Sequence, residues 1–160
     1  MTLEEKLISW TKPSSETEQE KQERTERMIR EAISSHNAFD NCSLTVFTKG
    51  SYANNTNVQV DSDVDIAVEC TEVIYWGKSE DCNYKGGNPY KGIWTPQKLR
   101  DELILALKSK FPNQIDTSGS TAIQINSSSA RVNADVVPCF SYKYYTIYSY
   151  IKGTKIFKTD

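Results

Sequence analysis

The spacing of apolar residues along this chain alternates between two periods. Over 14–39, SSETEQEKQERTERMIREAISSHNAF, it is helical. Met28, Ile29, Ala32 and Ile33 fall on one stripe, whereas the upstream half is charged, so only the second half is expected to pack firmly. Ser14 or Ser15 can cap this helix, and Glu16 and Glu18 suit its first turn. Glu20–Arg24, Glu23–Arg27 and Glu26–Arg30 are i,i+4 pairs, and the charge run reads as a solvated face. A shorter amphipathic helix, TLEEKLISWT, precedes it and stops at Pro13. The clearest helix is TPQKLRDELILALKSKF. Thr95 is placed as N-cap and Pro96 as first helical residue, with Leu99, Leu103, Ile104 and Leu107 as apolar face.

Elsewhere the period is two. SLTVFTKGS and VDIAVEC read as strands, and NQIDTSG, TAIQIN, RVNADVVPCF and YKYYTIYSYI as four more in succession. Residues 77–95, rich in Gly, Asn, Lys and aromatics, read as a long loop or broken hairpin. Helices first, then strands with one helix inserted, predict an α+β fold whose sheet is mostly antiparallel or mixed. The 160 residues suit a single domain with helices over 1–40 and a sheet core over 44–160 that includes a helix at 96–110.

Composition narrows the function classes. Net charge is -2, without the basic footprint of a duplex-binding protein. Residues 1–40 carry 6 Lys/Arg against 9 Asp/Glu, and 141–160 carry 4 Lys against one Asp. That basic end reads first as solvated surface and second as a face for phosphate. No apolar run reaches membrane-spanning length, and MTLEEKLISW is not a secretory signal, so a cytoplasmic location is expected. Cys42, Cys70, Cys82 and Cys139 form no CxxC pair, so no zinc site is expected. Cys70 and Cys139 look like core. His36, the single histidine, is expected at the surface and has no second histidine with which to build a nucleophilic triad.

The stretch that demands chemistry is KGSYANNTNVQVDSDVDIAVE, residues 49–69. Strand parity puts Asp63 and Asp65 on one face, with Val64, Ile66 and Val68 on the other. Two carboxylates so close can share one or two divalent ions, and Mg²⁺ suits them because it leaves room for water and substrate phosphates. Asp61 has the same parity but lies further out and is read as flanking. A calcium loop over Asp61–Glu72 is disfavoured, since Ile66 stands where that loop needs glycine. Gly50 and Ser51, at a turn after a strand, can offer backbone N–H groups and a hydroxyl to phosphate oxygens. Asp135 is a lone acid in the apolar run ADVVPCF. A buried acid needs a partner, which points to a third carboxylate beside the first two; the plain alternative is an edge-strand acid facing solvent. Tyr142, Tyr144, Tyr145, Tyr148 and Tyr150 can stack bases or fill a half-buried strand.

Taken together, Gly-Ser, DVDIAV and ADVVP resemble the polymerase-β-like nucleotidyltransferase superfamily. More narrowly, GSYANNTNVQVDSDVDIAVE with RVNADVVPCF is similar to the bacterial cGAS/DncV-like nucleotidyltransferases of antiphage defence, which make cyclic or linear oligonucleotide messengers. The resemblance implies a palm-like sheet, nucleoside triphosphate substrates such as ATP or GTP, and two Mg²⁺ ions, with Mn²⁺ as an alternative. It implies that Gly50 and Ser51 hold the triphosphate, that Asp63 and Asp65 bind both metals and that Asp135 binds the one activating the attacking hydroxyl. A regulatory protein partner is compatible with it. Such proteins usually continue into a helical domain where this chain ends at KGTKIFKTD. An antitoxin-type or RNA-tailing nucleotidyltransferase, or a nucleotide-binding module without turnover, are the alternatives.

Overall fold

The computed structural model describes residues 16–49 and 64–159. The expected helix TLEEKLISWT and its neighbours Ser14 and Ser15 lie outside the described residues. In chain order the elements are α1 (Glu16–Ser34), a 3-10 turn (Asn37–Phe39), β1 (Leu44–Lys49), β2 (Val64–Lys78), α2 (Pro96–Lys110), β3 (Ile115–Asp116), β4 (Ile123–Ile125), β5 (Ala134–Tyr145) and β6 (Tyr150–Lys155). The sheet order is β1-β2-β5-β4-β3, with β6 also on β5. Only β2–β5 is parallel among these pairs, so the sheet is mixed and the fold α+β.

The sheet is two-faced because strand side chains alternate. One face carries Val64, Ile66, Val68, Val136 and Phe140, which are fully or almost fully buried. Against it pack Ile29, Ala32 and Ile33 of α1 and Leu99, Leu103, Ala106 and Leu107 of α2. Burying side chains of this size contributes about 1.5–3 kcal/mol each. Thr95 caps α2 by accepting from Lys98 N at 3.1 Å, and Pro96 opens the helix as the sequence predicts.

Four expectations change. The last two predicted strands are divided differently: β5 runs straight through Pro138 to Tyr145. It tolerates proline because β4 pairs with 134–136 and β6 with 140–145, leaving Pro138 between the two pairings on that edge. β2 continues to Lys78, with a register irregularity between Cys70 and Ile74. This extended course also excludes a wrapped calcium loop over Ile66–Glu72. The charged half of α1 does more than face water. Arg24 Nη1 donates to Ala130 O at 2.8 Å, and Arg30 Nη1 to Val46 O at 3.0 Å while holding Glu26 at 2.9 Å.

His36 is half-buried, not a surface residue. Its Nε2 lies 3.1 Å from Glu102 Oε1, and its ring meets Phe39 edge-on. Phe39 in turn stacks on Trp94 just before α2. The hydrogen bond from His36, aided by Lys98, holds the Glu102 carboxyl below its ordinary value against the opposing effect of burial. A depressed carboxyl stabilises the fold above its unfolded value of about 4.3 and loses that contribution as pH falls through the lower folded value. Glu102→Gln is therefore expected to lower the melting temperature at pH 7, with the gap to wild type closing below about pH 4 in a thermal scan.

Candidate functional site

Register decides which side chains meet on the sheet face opposite α1 and α2, the face that the other described elements leave open. Asp65 at the start of β2 is the Cα partner of Asp135 at the start of β5. In-register partners on parallel strands point the same way, about 4.8 Å apart along the hydrogen-bonding direction. Lys49, the last residue of β1, is the partner of Asp65, and Gln124 of β4 is the partner of Asp135. Asp116 of β3 closes the row against Gln124. Five strands thus contribute Lys49, Asp65, Asp135, Gln124 and Asp116 in one line. Asp65 and Asp135 are half-buried, and Asp135 sits on a central strand, not a solvent-facing edge. Gly50, Ser51, Asp61 and Asp63 lie outside the described residues.

Carboxylates held about 5 Å apart repel by about 3 kcal/mol at an effective dielectric near 20. A divalent cation reverses the sign of that term, whereas one flanking amine such as Lys49 only reduces it. Two further acids of this face have defined partners. Ser141 Oγ donates to Glu69 Oε2 at 2.5 Å. Ser118 donates to Asp116 from both hydroxyl and N–H, and these bonds hold its carboxyl below the ordinary value. Cys139 of β5, the partner of Glu69, is buried, and burial pushes its thiol up to about 12.

The start of β5 is built to stay in place. Val64 N donates to Asn133 O at 3.0 Å, joining the two strand starts. Asn133 Oδ1 accepts from Ser127 N at 2.7 Å. Arg131, 6% exposed, donates to Asn126 O at 3.1 Å and to the Gln114 side chain, and lies over the Phe111 ring. Thr25 Oγ1 of α1 accepts from Val132 N at 3.3 Å. A cavity of about 110 Å³ adjoins Asp135, lined by Gln124, Asn126 and Asn133. A larger hollow of about 1000 Å³ lies by Trp76, Tyr84 and Tyr145. It is on the order of 30 Å along β2 from Asp65, too far to share chemistry with the acidic pair. Tyr142 is about 23 Å along β5 from Asp135, and Tyr145 stacks on Tyr84 with centroids 3.7 Å apart. Base stacking by these tyrosines at the acidic pair therefore has no geometric support.

Sequence reasoning missed Lys49 and Gln124. Lys49 had a signal, as the strand residue immediately before Gly50 with the parity of Phe47. Gln124 had none, because nothing local states which strand lies beside β5. It also missed that Cys42 and Cys70, distant in sequence, bring their sulfurs within 3.9 Å.

No protein-family model matches the chain. Its sequence is 38% identical over 158 residues to the cyclic dipyrimidine nucleotide synthase CdnE of Cecembia lonarensis, covering 98% of this chain and 53% of that protein. The solved structure of Elizabethkingia meningoseptica CdnE cyclic dinucleotide synthase with GTP and Apcpp superposes with TM-score 0.65 at 28% identity, covering 99% of this chain and 52% of that one. The Rhodothermus marinus CdnE c-UMP-AMP synthase with Apcpp and Upnpp shares the fold, with TM-score 0.67 at 22% identity over 96% of this chain and 52% of that one. The sheet and its two backing helices are therefore a nucleotidyltransferase fold. Within that class the chain belongs to the CD-NTases, the bacterial cGAS/DncV-like nucleotidyltransferases, and it spans about half the length of the relatives it matches.

Removing the support under Asp135 tests this reading of the site's scaffold. Arg131→Ala leaves two acceptors and a ring face without a partner, and is expected to cost about 3 kcal/mol in denaturant unfolding.

Proposed function

We propose that this chain carries the catalytic site of a nucleotidyltransferase that joins nucleoside triphosphates into cyclic or linear oligonucleotide second messengers. The observation that carries the proposal is the pairing of Asp65 with Asp135 on adjacent parallel strands, in a chain homologous to cyclic nucleotide synthases. Half-buried carboxylates on one face are a hard-oxygen donor set, which suits Mg²⁺ or Mn²⁺ and not a soft cation. Asp63 and Asp65 would hold both ions and Asp135 the one nearer the attacking hydroxyl. Bound there, two cations supply neutralisation of the attacking and leaving oxygens.

The remaining work falls to the chain itself. Gly50 lets the backbone approach the triphosphate, and the Ser51 hydroxyl donates to a phosphate oxygen. The donor's α-phosphorus is then aligned with a ribose hydroxyl. That oxygen forms the new phosphodiester bond, pyrophosphate leaves with the broken one, and the hydroxyl proton passes to solvent. The cavity beside Asp135, about 110 Å³, holds only a few waters. The nucleotides must therefore lie over the open face. ATP and GTP are the triphosphates to try first, and the named relatives, which make dipyrimidine or c-UMP-AMP products, add UTP and CTP. Work in the cytoplasm, a role in antiphage signalling and a regulatory protein partner belong to the same reading by family resemblance.

Binding and turnover are separate questions for a chain half the length of its relatives. In calorimetry, a nucleoside triphosphate is expected to bind the chain with Mg²⁺ and to lose affinity by about tenfold or more with EDTA. Asp63→Ala/Asp65→Ala is expected to abolish the Mg²⁺-dependent part; equal binding by variant and wild type removes the proposed site. Where pyrophosphate is released, Asp135→Asn is expected to slow it by about 10²–10³-fold. Mixed labelled nucleotides then sort the products. Small oligonucleotides support messenger synthesis, whereas labelled protein or extended RNA supports the other branches. Nucleotide binding without pyrophosphate makes this chain a binding module.

A further inference from the structure

The far end of the β1–β2 pair holds a second group of ligand atoms with different chemistry. Cys42 Sγ and Cys70 Sγ are 3.9 Å apart, although 28 residues separate them in sequence. A Glu72 carboxylate oxygen joins them, and all three ligand atoms lie within 4.8 Å of one another. Among the described residues this is the one such set of three. Cys70 is fully buried, Cys42 is half-buried and Glu72 is exposed.

The sulfur separation matches a specific coordination, and the carboxylate oxygen lies within 4.8 Å of both sulfurs. With Zn–S bonds of about 2.3 Å, a tetrahedral ion sets its two sulfurs about 3.8 Å apart, and a carboxylate oxygen about 3.5 Å from each. The sulfurs already stand at the first separation. Simple van der Waals packing of two core thiols explains their proximity but not a carboxylate converging on both. The frame around them is tied down. Ser43 O accepts from Thr71 N at 3.0 Å and from Thr71 Oγ1 at 3.2 Å, pinning the segment before β1 to the irregular stretch of β2. Cys42 N donates to Phe39 O at 3.1 Å, anchoring the other side.

We propose that Cys42, Cys70 and Glu72 form a binding site for one thiophilic divalent cation of the zinc class, with water as fourth ligand. On binding, each thiol gives its proton to solvent and the two thiolates and one carboxylate balance the ion's charge to a net of -1. The site is distinct from the acidic pair: it is sulfur-rich where that pair is all oxygen, and Cys70 lies about 16 Å along β2 from Asp65. A cation here would close the loop from 42 to 70 that carries Gly50, Ser51, Asp63 and Asp65. It would act as a staple on the segment bearing the proposed chemistry.

Cobalt(II) is the probe, because only thiolate ligation gives it a sulfur-to-metal charge-transfer band. Reduced protein titrated with Co²⁺ is expected to develop that band to an end point of one equivalent. Zn²⁺ should bleach it, and excess Mg²⁺ should leave it unchanged. Cys42→Ser and Cys70→Ser should each abolish the one-equivalent signal. Glu72→Gln should weaken Co²⁺ binding about tenfold or more, and Cys82→Ser should behave as wild type. Circular dichroism of each variant without metal checks that it is folded. Absence of the band in folded, reduced wild type overturns the proposal, as does a band that survives in folded Cys42→Ser.

Discussion

The parallel pairing of β2 with β5 is the constraint on which the rest depends. It is the single parallel contact in an otherwise antiparallel described sheet, and it sets the starts of two strands side by side. An antiparallel arrangement would have put Asp135 against the far end of β2, opposite its aromatic half. Because the pairing is in register, strand parity then sorts everything else. Valines and isoleucines go down onto two helices, and Asp65 and Asp135 go up onto the open face. A one-residue slip of either strand would turn its carboxylate into the apolar layer and expose its valines, so the core itself fixes the register of the acidic pair.

That coupling explains how much was legible. VDIAVE states its own parity, and the helix from Pro96 to Lys110 announces both its cap and its buried stripe, so those elements could be read residue by residue. Strand neighbours could not. The sequence around Asp135 asks for a partner without naming it, and no local pattern says that Gln124 lies on its other side. The continuation of β5 past Phe140 was hidden for the same reason, and so was the reason Pro138 is tolerated. The cost of that proline depends on where two different edge strands stop, which is a property of the sheet and not of the segment. The buried Arg131 and Thr25, both polar, were likewise invisible to a reading built on apolar periodicity. The tyrosine-rich end was legible as strand and illegible as location, since its distance from the acids follows from the length of β5. The readings of Gly50, Ser51, Asp61 and Asp63 concern positions outside the described residues.

The two clusters divide by the hardness of their donors. Asp65 and Asp135 offer oxygen only, on a half-buried face suited to a labile ion that arrives with phosphates. Cys42 and Cys70 offer sulfur in a tied-down corner, suited to an ion that stays. Both depend on β1 and β2 being held together, one at each end of the same antiparallel pair. Homology to cyclic nucleotide synthases bears on the first cluster; the second stands on this chain's own geometry.

The most direct test of the central claim is crystallographic. The chain would be crystallised with Mn²⁺ and a non-hydrolysable nucleoside triphosphate, and the manganese located by its anomalous scattering. The account predicts a peak on the open face between Asp65 and Asp135, within about 2.3 Å of an oxygen from each, with phosphate oxygens completing the shell. A manganese bound through phosphate alone, away from either carboxylate, would contradict it.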